Sequence, residues 1–171
     1  KVKNADLAMS QVLSIFAPPP PVFKTDIHPT ATIDETAQIG DGTKIGANCY
    51  VGPNVKIREN SILYPNVTIL DECTIGKNTT IENHVVLDGF SRNKIVLGYN
   101  VKIGSYSKLL STSHMSKYGI GMIIGNNSAF GDFTHFGAPG GIVIGNDVIA
   151  GSYVSFHSEN HVFSDTSLLI R

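Results

Sequence analysis

Aliphatic side chains return at every sixth residue from Ile27 onward: Ile33, Ile39, Ile45, Val51, Ile57, Leu63, Ile69, Ile75, Ile81 and Leu87. Four places after each, until that run ends, stands a compact side chain: Ala31, Ala37, Thr43, Cys49, Val55, Ser61, Val67, Cys73, Thr79 and Val85. A period of six cannot come from an amphipathic α-helix, whose apolar stripe returns at about 3.6 residues, and it is too regular for a β-sandwich. It predicts a short extended stretch, a turn, and another short stretch on a new face. Asn at the third place after the aliphatic (Asn48, Asn54, Asn60, Asn66, Asn78) and Gly at the first (Gly40, Gly46, Gly52, Gly76) are the residues that tolerate unusual φ at such turns.

Three such sides close a triangular prism with 18 residues per coil. Each side then returns above its predecessor, ladder hydrogen bonds form in parallel, and the aliphatics stack into a narrow column. One coil cannot bury its own apolar face; stacking supplies the missing surface. The fold class expected is therefore all-β, a parallel β-helix.

The ladder breaks at Asp88–Lys94 and resumes in phase at Leu97, Ile103 and Leu109, with Val101 and Ser107 at the small sites. A longer polar excursion, Leu110 to Met122, contains His114, Lys117 and Tyr118 and is expected to project outward. The repeat returns at Ile124, Phe130 and Phe136 and shifts by two residues across Gly137–Gly141. It continues at Ile144, Ala150 and Phe156, with Ser128, Thr134, Gly140, Val148 and Val154 at the small sites. About seven coils, some 30 Å of prism at a strand spacing near 4.8 Å, are predicted. Before the prism, Asn4–Phe16 reads as a capped short helix with an apolar side, stopped by Pro18–Pro21. The chain thus divides into a helix and connector (1–22) and a β-helix (23–171). The helix is expected to cover the first coil or to touch another chain.

Near-neutral charge, formally -1, and the lack of a basic stripe argue against a nucleic-acid partner. No stretch has the length or apolarity of a membrane span or signal peptide, so a cytoplasmic location is expected. The two cysteines, Cys49 and Cys73, both fill inward small sites and read as reduced core residues. There is no Walker sequence, nucleophile elbow or CxxC pair, and the glycines belong to the repeat.

Repeats build a rod, and departures from the repeat build sites. The densest departure is Phe156–Asp165, with His157, Glu159, Asn160, His161 and Asp165 close together. An imidazole with a pKa near 6.5 can take a proton from an attacking hydroxyl, while a carboxylate or amide fixes its tautomer. The spacing of His157 and His161 is superficially that of zinc proteases. The carboxylate is misplaced, however, and the context is extended, so no metal is expected. His84 stands where Asn is usual and reads as a turn residue. His28 precedes Pro29 and reads as structural, whereas His114 and His135 are candidates for meeting substrate.

The ladder resembles the hexapeptide-repeat acyltransferases, whose fold is a left-handed parallel β-helix. The stretches Ile144-Gly145-Asn146-Asp147-Val148 and Gly151 to His161, and on through Ser164-Asp165 to Arg171, are similar to bacterial sugar O-acetyltransferases of capsule, O-antigen and exopolysaccharide synthesis. The helix, the prolines and His28-Pro29-Thr30-Ala31 resemble the junction in UDP-3-O-acylglucosamine N-acyltransferases. The resemblance implies acetyl-CoA as cosubstrate, a homotrimer, and active sites in clefts between prisms. It implies transfer of an acetyl group to a hydroxyl of a sugar or nucleotide-sugar acceptor in polysaccharide biosynthesis. His161 would be the general base, with Asp165 and Asn160 as orienting groups, and His157, Glu159, His135 and His114 would serve the acceptor. N-acylation of a nucleotide-linked amino sugar and a non-catalytic trimeric scaffold are the alternatives. Members of that group usually continue through further coils, so more chain is expected beyond Arg171.

Overall fold

The computed structural model describes residues 4–16, 23–111 and 118–159. Helix α1 (Ala5–Phe16) precedes a left-handed parallel β-helix built of strands two or three residues long. The strands form three walls, one of seven strands and two of six. The first wall stacks Thr32–Ile33, Tyr50–Val51, Thr68–Ile69, Val86–Asp88, Lys108–Leu110, His135–Gly137 and Ser155–His157. The second runs from Gln38–Ile39 to Ile142–Ile144, and the third from Lys44–Ile45 to Ile149–Ala150. All pairing is parallel and one coil apart, as in Thr32 with Tyr50 and Ile33 with Val51.

The alternation within each strand explains the walls. In Lys56–Ile57 the lysine is exposed and the isoleucine is buried, and the inward residues Ile45, Leu63, Ile81 and Ile103 pair from coil to coil along one wall. Thr43, Ser61, Thr79, Ser107 and Thr134 fill the inward small sites and are buried. Their hydroxyls donate to neighbouring carbonyls, for example Ser61 Oγ to Gly76 O at 3.0 Å, which removes the cost of a buried polar group. Cys49 and Cys73 are buried, free thiols. Burial, joined by the field of Asp88, pushes Cys73 up to about 12, so it stays a neutral space-filler.

The corners carry the strain. Asn48, Asn54, Asn60, Asn66 and Asn78 all have φ between 55° and 63°, in the left-handed region that Asn tolerates better than most residues. One corner departs from asparagine. Above Asn48 and Asn66 stand His84, Tyr106, Phe133 and Tyr153, each at φ near 60°, and their rings stack in a column. Centroid separations are 4.9, 5.1 and 4.9 Å, with planes within 8° of parallel. His84 is thus a turn residue, as expected.

Three expectations need correction or limits. The small inward residue after Phe136 is Ala138, fully buried, and not Gly140, which is exposed. Gly140 instead donates its N–H to Ser158 Oγ at the corner. Helix α1 leaves Met9, Val12, Ile15 and Phe16 exposed, so they do not cover the first coil. That coil is edged by its own polar groups: His28 N–H donates to Ile45 O at 2.9 Å, Ile45 N–H to Asp26 O at 2.7 Å, and Lys44 pairs with Asp26. The projecting excursion is described only at its ends, and His114 and Lys117 lie outside the described residues.

Two adjacent residues test the alternation. Ile57→Ala removes a fully buried side chain from the column and is expected to cost about 2–5 kcal/mol. Lys56→Ala, on the outer face, should change stability by no more than about 0.5 kcal/mol. Denaturant midpoints at constant slope measure both.

Candidate active site

The first wall changes character along its length. Its outward positions begin with Thr32, Tyr50, Thr68 and Val86 and then turn basic and nucleophilic with Lys108, His135 and Ser155 in one register column. The parallel outward column carries Asp88, Leu110, Gly137 and His157. This arrangement follows from strand geometry, since residues two apart point to the same side of a sheet.

The structure brings His135 and His157 together, with ring centroids 5.2 Å apart and planes tilted by 35°. They are 22 residues apart in sequence because the shift across Gly137–Gly141 lengthens this coil to 20 residues, setting Phe136 against Phe156, and His157 stands two places beyond Ser155, the register partner of His135. Gly137 lies directly beneath His157. A methyl group added there would stand 3.0 Å from His157 Nδ1 and 3.5 Å from His135 Cε1, so the missing side chain is what leaves room for both rings. Ser155 Oγ lies 2.8 Å from His157 Nε2. Partial burial pushes the His135 imidazole below its ordinary value, and the nearby charges of His157 and Lys108 push the same way. His135 is therefore neutral at neutral pH, with a ring nitrogen able to accept a hydrogen bond.

Ser158 closes the strand. Its N–H donates to Gly137 O at 3.1 Å and its hydroxyl to the same oxygen at 3.2 Å, which fixes the backbone just after His157; Glu159 follows, exposed. Asn160, His161 and Asp165 lie outside the described residues, as does His114. Ser155 and Lys108 are the site residues that sequence reasoning passed over. Both occupy the outward place just before an inward aliphatic or aromatic, so stepping the register from Phe136 to Phe156 would have exposed them.

Among the described residues no group of three His, Cys, Asp or Glu side chains is set to hold a metal ion. None of the helices there is long and apolar enough to cross a membrane. A cavity of about 530 Å³ lies by the first coils, lined by Phe23, Lys24, His28, Pro29, Tyr64 and Pro65 among others. Its one imidazole is engaged in a local turn, His28 Nδ1 meeting Thr30 Oγ1 at 2.9 Å and accepting from Thr30 N–H at 3.2 Å. Among the described residues, the imidazoles that lie outside local turns, His135 and His157, are on the first wall.

Ring-proton NMR across a pH series should place the His135 pKa below the usual imidazole value, and Lys108→Ala or His157→Ala should raise it by removing a neighbouring charge. Gly137→Ala should shift the His157 ring resonances, since the added methyl presses on Nδ1.

A family model described as "GMPPB C-terminal domain" matches residues 27–168. No curated protein matches the chain. Among solved structures, a UDP-N-acetylglucosamine acyltransferase is 25% identical with a TM-score of 0.54, over 77% of this chain and 50% of its own. A perosamine N-acetyltransferase variant from Caulobacter crescentus, solved with CoA and GDP-perosamine, is 17% identical with a TM-score of 0.42, over 73% of this chain and 51% of its own. The UDP-N-acetylglucosamine acyltransferase from Campylobacter jejuni is 19% identical with a TM-score of 0.32, over 80% of this chain and 69% of its own. The chain spans about half the length of the first two. With a family match running from the first coil past the imidazole pair, this chain belongs to the GMPPB C-terminal domain family, within the hexapeptide-repeat β-helix acyltransferase superfamily.

Proposed function

We propose that the protein transfers an acetyl group from acetyl-CoA to a hydroxyl of a sugar or glycan precursor on the first wall of the prism. The observation that carries this reading is the outward-facing imidazole pair, His135 and His157, at the end of the described β-helix. The likeness to a UDP-N-acetylglucosamine acyltransferase supports acyl transfer to a sugar as the reaction class. A soluble cytoplasmic homotrimer working in polysaccharide synthesis is the setting we infer from the sequence resemblance.

His161 is the proposed general base. It follows His157 by four residues, and it would take the acceptor's proton as the oxygen attacks the thioester carbonyl. Asp165 and Asn160 are proposed to orient that ring. The imidazoles of His135 and His157 would hold the acceptor, with Glu159 and His114 at its edge. A neutral His135 suits this role, because its free ring nitrogen accepts from a sugar hydroxyl without the desolvation cost of a charge.

A second reading has an observation of its own. Ile123, Val143 and Ile149 are exposed on the second and third walls, the last two at 79% and 84%, and the matching family is described as a domain. Exposed apolar residues at the upper end of these two walls suit a trimerisation module that assembles subunits without chemistry.

Thiol release and acylated product, measured with acetyl-CoA and a panel of sugars and amino sugars, test the choice. His161→Ala is expected to lower kcat by about 10²-fold or more, while His135→Gln and His157→Gln should raise KM for the acceptor. Unchanged turnover in the His161→Ala protein removes the base assignment. A sedimenting trimer that releases no thiol and binds no acetyl-CoA selects the scaffold, and an amide product selects N-transfer.

A further inference from the structure

Ser155 and His157 share one strand and one face, and Ser155 Oγ stands 2.8 Å from His157 Nε2. That is the contact of a nucleophile with its base. The surroundings separate it from an incidental surface hydrogen bond. The ring sits in room that only Gly137 leaves, since the coils beneath carry Leu110 and Asp88 at the same place. His135 packs beside it at 5.2 Å. Lys108 stands in the same column as Ser155, two strands below it and next to His135. His28 offers the contrast. Its contact with Thr30 Oγ1 is part of a turn in which the same ring nitrogen also meets backbone N–H. His157 Nε2 has the Ser155 hydroxyl as its partner, on an extended strand with both side chains exposed to solution.

We propose that Ser155 and His157 are a nucleophile and base that capture an acyl group from a thioester as an acyl-serine and release it to water. This activity lies beyond transfer to a sugar, and it rests on the same reading that acyl thioesters reach this wall.

With Nδ1 carrying the ring hydrogen, Nε2 takes the Ser155 proton as Oγ attacks the carbonyl carbon. The C–S bond breaks, and the departing thiolate takes that proton from the imidazolium. Water then attacks the ester carbonyl and gives a proton to Nε2. The C–Oγ bond breaks, the proton returns to the Ser155 oxygen, and a carboxylic acid leaves with the pair restored. Every atom comes from the thioester, the serine and one water.

The test uses the whole chain with acetyl-CoA and, separately, p-nitrophenyl acetate, both without sugar, followed by acid quench and peptide mass spectrometry. The expected result is one acetyl group on the peptide bearing Ser155. Acceptor-free thiol release should fall by about 10²-fold or more in Ser155→Ala and in His157→Gln. Ser155→Cys should still capture the acyl group, as a thioester, which guards against loss of folding in the alanine variant. Acetyl found only on Lys108, or on no residue, or thiol release unchanged in Ser155→Ala, overturns the proposal. Acetylated sugar formed with no acyl-Ser155 at any quench time overturns it too and leaves the transfer reading standing. Acyl-Ser155 formed with no acylated sugar from any panel member supports the pair and removes the transfer reading.

Discussion

Each coil must set its aliphatic side chains directly over those of the coil below, and the rest of the molecule follows from that registration. Burying an Ile, Leu or Val side chain is worth about 1.5–3 kcal/mol. Holding a corner residue in the left-handed region costs about 1–2 kcal/mol, less for Asn, so the column outweighs its corners. The backbone bonds between coils, such as Thr32 N–H to Cys49 O at 2.8 Å and Asp34 N–H to Val51 O at 2.9 Å, fix the vertical step and admit no sideways slip. Because contacts run only between neighbouring coils, an insertion at a corner leaves the wall above it undisturbed. That is how Ile75 still meets Leu97, and Leu97 still meets Ile124, across two excursions.

The same registration makes the wall useful. A flat parallel sheet presents its outward residues at fixed vertical spacing, so Lys108, His135 and Ser155 are held one above another without a dedicated loop. What varies is the side chain at each step. The lower coils carry Thr and Tyr, and the upper coils carry Lys, His and Ser. Gly137 is as much a part of this as the imidazoles, since it converts a place in the repeat into space for a ring.

The prism was legible because a six-residue period leaves one physical solution, and the inward residues read from the sequence are those found buried, from Ile45 through Phe136. The site was legible in part. His135 and His157 were recognised singly, as possible contacts for an acceptor; the two-residue shift across Gly137–Gly141 was read, but the register was not stepped from Phe136 to Phe156 to set the two rings side by side. The same irregularity misled the reading of Gly140: counting four from Phe136 landed on the exposed glycine, while the chain tucks Ala138 inward. Ser155 escaped notice because a serine on an outer strand position is ordinary until an imidazole two residues on closes upon it. An apolar helix side predicts burial and says nothing of where, and Met9, Val12, Ile15 and Phe16 of α1 are exposed.

The aromatic corner gives the protein a built-in optical signature. The chain has no Trp, so its near-ultraviolet circular dichroism comes mainly from tyrosine and phenylalanine. The Tyr106, Phe133 and Tyr153 rings are stacked within 5.1 Å in a fixed handed sequence, a geometry in which neighbouring transitions couple. Those rings belong to three successive coils, the ones that carry Lys108, His135 and Ser155. Light absorbed at that corner therefore reports whether the coils that carry Lys108, His135 and Ser155 are docked on one another.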